Sequence, residues 1–519
     1  MEGAVMPRNA SWGIELSVLK AKQQADNDRM NDAADKIDLY TDDANDIIEA
    51  QLKAEFVKQN YDRLKLNINK SQNILKRVIN EISTIYKAEA HRTTGDKPND
   101  RYQEILKESY LDVKLKKVNR YTNLLNECLL KPTIRKGRFC FDIITPNIAF
   151  VFQDEDDPTL AKGICYQISY VNTRGRSDVD WHFWSVDEGA GEYVLFDNNF
   201  RPKKTVYGED GEKGPYPYLT KEKEAVLPFV TFHRDSPDYT FWDQDTGGDL
   251  YNAGVRAHVK MTMMDYFFKT CSFKQIYIIG DTSKMPQDQI MDTASPLSCP
   301  AGEGAEIGVL DIQNNMKQLQ DALAYNINAV VNNYGISADQ FTLVGGEMSG
   351  RALKIRNRAL MEIREEQIPL YRQYEWELFS VIRIVNNAWA GGGGLKKKLI
   401  PWELEFAVDF AEIEFPEDPI EEIEIQSKYL NSGIISLGGF YQHFNTDVTD
   451  EAEAEKTITA NLKKLKELKA EYPALDESLA AILGMGMSGG GGDDEGAGDG
   501  GGGDKGDVKN KDDKEGKEE

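Results

Sequence analysis

The chain is poor in the residues that staple small folds or hold metals. Five cysteines in 519 residues, Cys128, Cys140, Cys165, Cys271 and Cys299, are odd in number, widely scattered and form no Cys-x-x-Cys pair. They read as thiols packed like small hydrophobes rather than as disulfides or zinc ligands. The five histidines, His91, His182, His233, His258 and His443, share no short spacing, so no metal and no cofactor is expected. Apolar runs of about 18 residues are missing, which excludes a membrane-spanning helix. Met1 to Trp12 lack a basic stretch followed by an apolar one, and the expectation is a protein that remains in the cytoplasm where it is made. No Gly-x-x-x-x-Gly-Lys-[Ser/Thr] loop occurs, so an ATP-driven motor is not indicated. Positive charge is also short: 62 Lys and Arg against 87 Asp and Glu give a net charge of −25. Most of such a surface repels phosphates, which disfavours tight groove-reading of DNA.

What is present reads as α+β. From Glu15 to Leu130 apolar residues recur every three or four positions, as in Ile47 to Tyr61 and Leu64 to Lys87, and predict helices. Between Gly137 and Arg234 the period becomes two, as in Phe139, Phe141, Ile143 and in Ile164, Tyr166, Ile168, Tyr170, and predicts an antiparallel sheet. Tyr251, Val255, Val259, Met263 and Phe267 then line one face of a helix, followed by a strand from Gln275 to Ile279 and a weakly patterned segment from Gly280 to Gly308. A second amphipathic helix from about Asp311 to Tyr334 carries Ile312, Met316, Leu319, Leu323, Ile327, Val330 and Tyr334. A Gly-containing loop leads to a long helix from Arg351 to about Asn387, in which Pro369 predicts a kink near Glu366, because proline donates no hydrogen bond and clashes one turn back. A strand at Leu404 to Phe410 and helices at Ile420 to Leu430, Ser436 to Phe444 and Glu451 to Tyr472 follow. Beyond Gly484 the composition is Gly, Asp and Lys, with almost nothing to bury.

Most local motifs fail as chemistry. Asp243, Asp245 and Gly248 resemble the start of a calcium loop, but Gly247 and Gly254 stand where two oxygen ligands are needed. Trp181-His182-Phe183-Trp184 would alternate faces on a strand, which is sheet packing rather than a surface for stacking bases. Asp156 and Asp157 sit in a polar turn with no histidine or basic partner, and no nucleophile–base set stands out, so an enzyme is not expected. The basic cluster Arg351, Lys354, Arg356 and Arg358 is conspicuous in an acidic chain. It fits first a solvated or subunit-bridging face, and second contact with DNA phosphates or with acids on a neighbouring subunit.

Met348-Ser-Gly-Arg-Ala-Leu-Lys354 resembles the Ser-Gly-x-Ala-Leu-Lys element of tailed-bacteriophage portal proteins. Its surroundings resemble the family in order: Gly248-Asp249-Leu250 opening a helix, a strand ending at Gly280, and Gly308-Val309-Leu310 before the second helix. The closing pattern is Leu404 to Phe410, Phe415-Pro416, Asp418, Ser432-Gly433-Ile434-Ile435-Ser436 and Val448-Thr-Asp-Glu-Ala-Glu453. The likeness runs from Asp243 to Leu483.

The resemblance implies a portal-type multidomain subunit: a wing over 1–245, with helices at 15–130 and the sheet at 137–234, and a first stem helix at 246–271. A small α/β clip at 272–311 and a second stem helix at 312–334 come next, then the channel loop, kinked helix and wing strand at 335–415. A helical crown at 416–484 and an acidic Gly-rich tail at 485–519 close the chain. It further implies a homo-oligomeric ring, usually of twelve copies, at one capsid vertex of the virion, assembled in the host cytoplasm. Double-stranded DNA would pass through it during packaging and ejection without sequence specificity. The implied partners are the terminase large subunit, a head–tail adaptor and the major capsid or scaffold protein, with no membrane. Val255, Val259, Met263, Leu319, Leu323 and Ile327 would be the apolar stem faces. The competing reading is another virion assembly protein, an adaptor or scaffold without a DNA channel.

Overall fold

The computed structural model describes residues 16–95, 97–171, 175–209, 211–242, 248–271, 275–279, 306–310, 316–336, 357–390, 397–411, 419–445, 448 and 450–471. The chain divides into two compact units, Met1–Glu417 and Asp418–Glu519. Within the first, helices α1 (Leu16–Ala25), α2 (Asn27–Tyr40), α3 (Asn45–Glu55), α4 (Lys58–Leu64) and α5 (Ile74–Ile82) precede strand β1 (Ala90–Thr94). Helices α6 (Asp100–Ser109) and α7 (Leu111–Leu125) lead into β2 (Glu127–Arg135) and β3 (Arg138–Ile144). A meander follows: β4 (Ala149–Gln153), β5 (Ala161–Val171), β6 (Ser177–Asp187), β7 (Ala190–Phe196) and β8 (Pro202–Tyr207), then β9 (Val230–His233). Helix α8 (Gly248–Cys271), β10 (Gln275–Ile279), β11 (Glu306–Leu310), α9 (Met316–Asn333), the long α10 (Arg358–Trp389) and β12 (Phe406–Phe410) complete the unit. The second unit contains α11 (Pro419–Asn431), α12 (Leu437–Phe444) and α13 (Glu451–Glu471).

The fold is α+β, and its strands pair antiparallel. The region with period two forms two sheets rather than one: a five-stranded meander in the order β4-β5-β6-β7-β8 and a three-stranded sheet in the order β3-β2-β9. Alternation puts Phe150, Cys165, Trp181 and Phe183 on one face of the meander, where they pack with Leu19 and Met30 of the opening helices. Val151, Ile164, Tyr166 and Trp184 face the other way, into the main core. The aromatic run at 181–184 is therefore sheet packing: Trp184 stacks on Tyr193 with ring centroids 3.9 Å apart, and Trp181 lies 4.8 Å from Phe200.

The helical reading of 15–130 is corrected at four places, the first within Ile47 to Tyr61, where extended Phe56 and Val57 part α3 from α4. β1 interrupts it, pairing with β12 more than 300 residues later from Ala90↔Phe410 to Thr94↔Phe406; Ala-His-Arg-Thr-Thr has no apolar alternation to announce a strand. β2 starts at Glu127, inside the supposed helix. Its first six residues are all buried between β3 and β9, so no period of two survives in the sequence. The stretch from Leu64 to Lys87 is not one helix either. Ser71 N–H donates to Asn69 Oδ1 (2.8 Å) and Lys76 N–H to Asn73 Oδ1 (2.9 Å), so side chains compete for the backbone and delay α5 to Ile74. The weakly patterned 280–308 segment contains one more strand than expected, β11, in register with β10 from Gln275↔Leu310 to Ile279↔Glu306.

Helix α10, 32 residues and so ~48 Å long, runs through the main core. Glu375, near its middle, accepts from Arg92 twice (Nε–Oε2 2.9 Å, Nη2–Oε1 2.7 Å) and from the Tyr86 hydroxyl (2.9 Å). Arg92 Nη1 also reaches Asp112 on α7 at 2.7 Å. Burial alone would lower the Arg92 pKa, but Glu375 more than offsets it, and the guanidinium stays charged. Further along α10, Tyr371 accepts from Asn119 Nδ2 at 2.7 Å, and Asn386 accepts from Arg101 Nε at 2.9 Å. Pro369 lies within the helix, which continues past it. The carbonyl left without a donor belongs to Glu365, an exposed position where water can serve it.

In the second unit Ser436 caps α12, accepting from Gly439 N–H at 2.9 Å. Gly438 is packed so closely on α13 that a Cβ there would lie 2.8 Å from the Glu451 carbonyl.

Replacing Glu375 with Gln removes the buried counter-charge of Arg92 and leaves it only the part-exposed Asp112; it is expected to lower stability by about 3 kcal/mol, read from the denaturant midpoint, and a loss under ~1 kcal/mol would contradict the assigned pair. A second test concerns Lys131 on β2, which is buried with its Nζ 4.4 Å from the Trp184 ring and 5.8 Å from Phe229. Burial draws its pKa from 10.5 down to about 8, against the pull of Asp142. Between those values the unfolded chain keeps a proton that the folded chain has released, so stability rises with pH through that window. Lys131→Met is expected to be the more stable form at pH 7, with an advantage that shrinks above pH 8 by up to ~1 kcal/mol per unit. A pH-independent difference would contradict the burial of a charged lysine.

Candidate functional site

Helices α8 and α9 pack against one another, and the β10–β11 pair lies between them in the chain. The two ends of this excursion are tied. Asp249, in the first turn of α8, accepts from the Tyr334 hydroxyl at 2.7 Å and from Asn333 Nδ2 at 3.4 Å, beside the end of α9. Burial and the neighbouring Asp249 both push the Tyr334 pKa up, keeping the phenol a donor, and the Arg234 guanidinium lies 5.7 Å from its ring.

The helices differ in what they bury. On α8, Val255 and Val259 are buried and Met263 half-buried, in a cluster with Leu39, Ile48, Leu52 and Val78 from α2, α3 and α5. Gly254 permits this approach, since a Cβ there would meet Leu39 Cδ2 at 3.2 Å. Polar contacts fix the axis: Asn69 N–H donates to Thr262 Oγ1 (2.9 Å) and Asn69 Nδ2 to Asp265 (2.6 Å), with the His258 ring 3.2 Å from the Asn69 carbonyl. Burial lowers the His258 pKa. The apolar face of α8 is thus used inside the chain. On α9, Leu323 is 9% exposed and Ile327 half-buried, but Leu319 is 42% exposed and Tyr325 74%.

The end of α9 is built by Gly335. Its φ of +67° is the left-handed region that glycine tolerates, and Ile336 N–H turns back to the Val331 carbonyl at 3.2 Å. A Cβ at 335 would lie 2.9 Å from Ile363 Cδ1, so the helix end is pressed against the first turns of α10, with Ile336 and Leu360 buried nearby. Arg358 opens α10, exposed and paired with Glu362 at 2.9 Å. Arg351, Lys354 and Arg356 lie outside the described residues, as does the Asp243 to Gly247 segment. Pro369 borders a polar crevice of about 610 Å³, shared with Arg234, Tyr334, Ile363, Gln367 and Gln373.

Tyr334 ends the apolar pattern of α9 and Asp249 opens α8, but the pattern does not show that the two bond each other, and Asn69 and Gly335 carry no periodic signal. The Asp-Leu helix opening and the Tyr-Gly pair after α9 are the signals that mark the two ends. Among the described residues no cluster of His, Cys, Asp or Glu could hold a metal ion, and no helix is long and apolar enough to cross a membrane. Burial pushes the Cys128 and Cys165 thiols well above their ordinary pKa.

No family model matches the chain, and no curated protein does. Solved structures with a similar course include a chain in the virion of a native gene transfer agent particle, at 11% identity and a TM-score of 0.34, over 72% of this chain and 90% of that one. A chain in the neck of the empty particle gives 11% identity and a TM-score of 0.37 over the same shares. One in the neck of the native particle gives 10% and 0.34, over 72% and 89%. At these values the likeness establishes no activity or assembly for this chain.

Gly335→Ala is expected to cost about 1–3 kcal/mol, combining left-handed strain with the clash at Ile363. Hydrogen exchange should quicken at the amides of Gly335 and Ile336; unchanged exchange there would contradict this account of the corner.

Proposed function

We propose that the chain is a structural subunit of a ring-shaped portal, of about twelve copies, at one vertex of a tailed-phage capsid. It forms the channel through which double-stranded DNA is packaged and ejected, and it performs no chemistry of its own. The observation that carries the reading is the helix–strand-pair–helix excursion of α8, β10, β11 and α9, in which α8 is packed into the body while α9 leaves apolar side chains uncovered. Leu319 and Tyr325 are six residues apart, so they project about 120° from one another around α9. A helix with a neighbour on each side, as in a closed ring, covers both; a twofold dimer would cover one patch only. The order of the elements around the Ser349-Gly-Arg-Ala-Leu-Lys354 motif supports the same reading.

The charge suits a conduit. Every phosphate contact must break as a duplex slides, and a subunit of net charge −25 offers few of them. The cations at 351–358 are the candidates for brief phosphate contacts or for bridging between copies, and Pro369 the candidate kink of the channel helix. The partners that follow are the terminase large subunit, a head–tail adaptor and the capsid or scaffold protein.

The test is to replace Leu319 and Tyr325 together with Glu. The variant should keep its far-UV circular dichroism and lose the high-mass assembly seen by mass photometry of the unaltered protein. Assembly undiminished by two added charges on α9 would count against a ring sealed by this helix.

A further inference from the structure

The opening helices carry two blocks of opposite charge. From Asp28 to Glu49 there are eight acidic side chains against Arg29 and Lys36; from Lys58 to Arg77 there are six basic ones against Asp62. A stretch of that positive density is unusual in a chain of net charge −25. Among the described residues, one ion pair joins the blocks, Lys76 with Asp42. Asp35, Asp38, Asp43 and Asp46 have no ion-pair partner among the described residues, nor do Lys58, Arg63 and Lys70. Arg63 donates to the Tyr266 hydroxyl (3.1 Å) and Lys70 to the Asp42 backbone carbonyl (3.0 Å).

The Asp35–Asp38 row faces away from α5, the helix that carries Lys76 and Arg77. Tyr40, about 140° round α2 from Asp35, bonds Asn80 on α5 at 2.9 Å. The Asp35–Asp38 row therefore points away from α5 and flanks Tyr251 of α8, whose pKa burial and these carboxylates raise. Burial and neighbouring aspartates raise the pKa of Asp35 and Asp38 themselves, as expected of like charges left uncompensated. The basic block also displays apolar side chains between its cations: Val57 is 71% exposed and Leu66 74%. Apolar contacts ringed by charge are the composition of a protein interface.

We infer that the basic strip around Val57, Lys58, Arg63 and Leu66 of one copy docks on the acidic Asp35–Asp38 row of the next copy. The inference rests on the ring reading and names one contact within it. A second copy suits the strip better than a DNA duplex does. The acidic row lies in the same helical bundle and repels phosphates, while the adjacent copy offers a row of the opposite sign. Two different strips meeting head to tail form the heterologous kind of contact from which a ring closes.

The experiment reverses charge on each side: Lys58→Glu with Arg63→Glu, Asp35→Lys with Asp38→Lys, and all four together, each checked by circular dichroism and thermal unfolding. Assembly is followed by mass photometry across salt concentrations. Either double variant should need about tenfold more protein to assemble, and the fourfold variant should recover. Double variants that assemble normally, or a fourfold variant that assembles no better than the doubles, overturn the contact while leaving the ring reading in place. Loss of assembly restored by the swap, but in twofold dimers only, keeps the contact and removes the ring. If the Lys58/Arg63 variant assembles normally and instead loses binding to a short DNA duplex, the strip serves nucleic acid and the inference is wrong. An unaltered protein that stays monomeric overturns both.

Discussion

A buried ion pair sets how α10, β1 and α7 meet in the main core of the larger unit. Glu375 sits in the middle of α10 where the apolar stripe Tyr371, Leu378, Ile382 would otherwise be continuous, and Arg92 from β1 meets it with two hydrogen bonds. Two charges taken out of water are costly unless both are fully satisfied. Here Tyr86 and Asp112 complete the set, so α10, β1 and α7 have one arrangement in which all four groups are paired. That arrangement brings together residues 283 apart in sequence and fixes the helix from which the rest is measured. Toward its C-terminus Asn386 and Asn387 bind the returning 398–400 backbone, and toward its N-terminus Ile363 receives the end of α9.

From that anchor the excursion of α8 and α9 acquires direction. Helix α8 is locked by Asn69 and by packing on α2, α3 and α5, and Asp249 and Tyr334 close its base. Helix α9 returns along it with much of its surface open. Helix α8 buries its apolar face within the chain, whereas α9 buries Leu323 and Val331 and leaves Leu319 and Tyr325 exposed. The charges are left open in a similar way: one ion pair, Lys76 with Asp42, joins the acidic and basic blocks of the opening helices among the described residues, and Asp35 and Asp38 remain exposed. The ring proposed above would need this incompleteness in each of its subunits.

The sequence was most legible where elements are local and amphipathic. Helix α8, strand β10 and helices α11 to α13 lie within a few residues of the bounds that periodicity and capping predict, because Asp249, Ser436 and Glu451 are start signals written in the chain itself. The misses share a cause. β1 is a strand only because β12 pairs with it, β2 is buried along its first six residues and so lost its alternation, and β11 exists through β10. The break before α5 was visible in Asn67, Asn69, Ser71 and Asn73, which outweigh the apolar spacing around them. At the candidate site, apolar spacing found the faces of α8 and α9 but could not say which was used at home. A lone Glu at a core position of α10 was the signal for the anchoring pair, and it became readable only with Arg92 beside it.

The most direct measurement is electron microscopy of the purified full-length protein, with class averages computed without imposed symmetry. Closed rings of about twelve subunits around a hole wide enough for a DNA duplex are the predicted result. Particles that remain single subunits or twofold dimers at every concentration and salt would contradict the account.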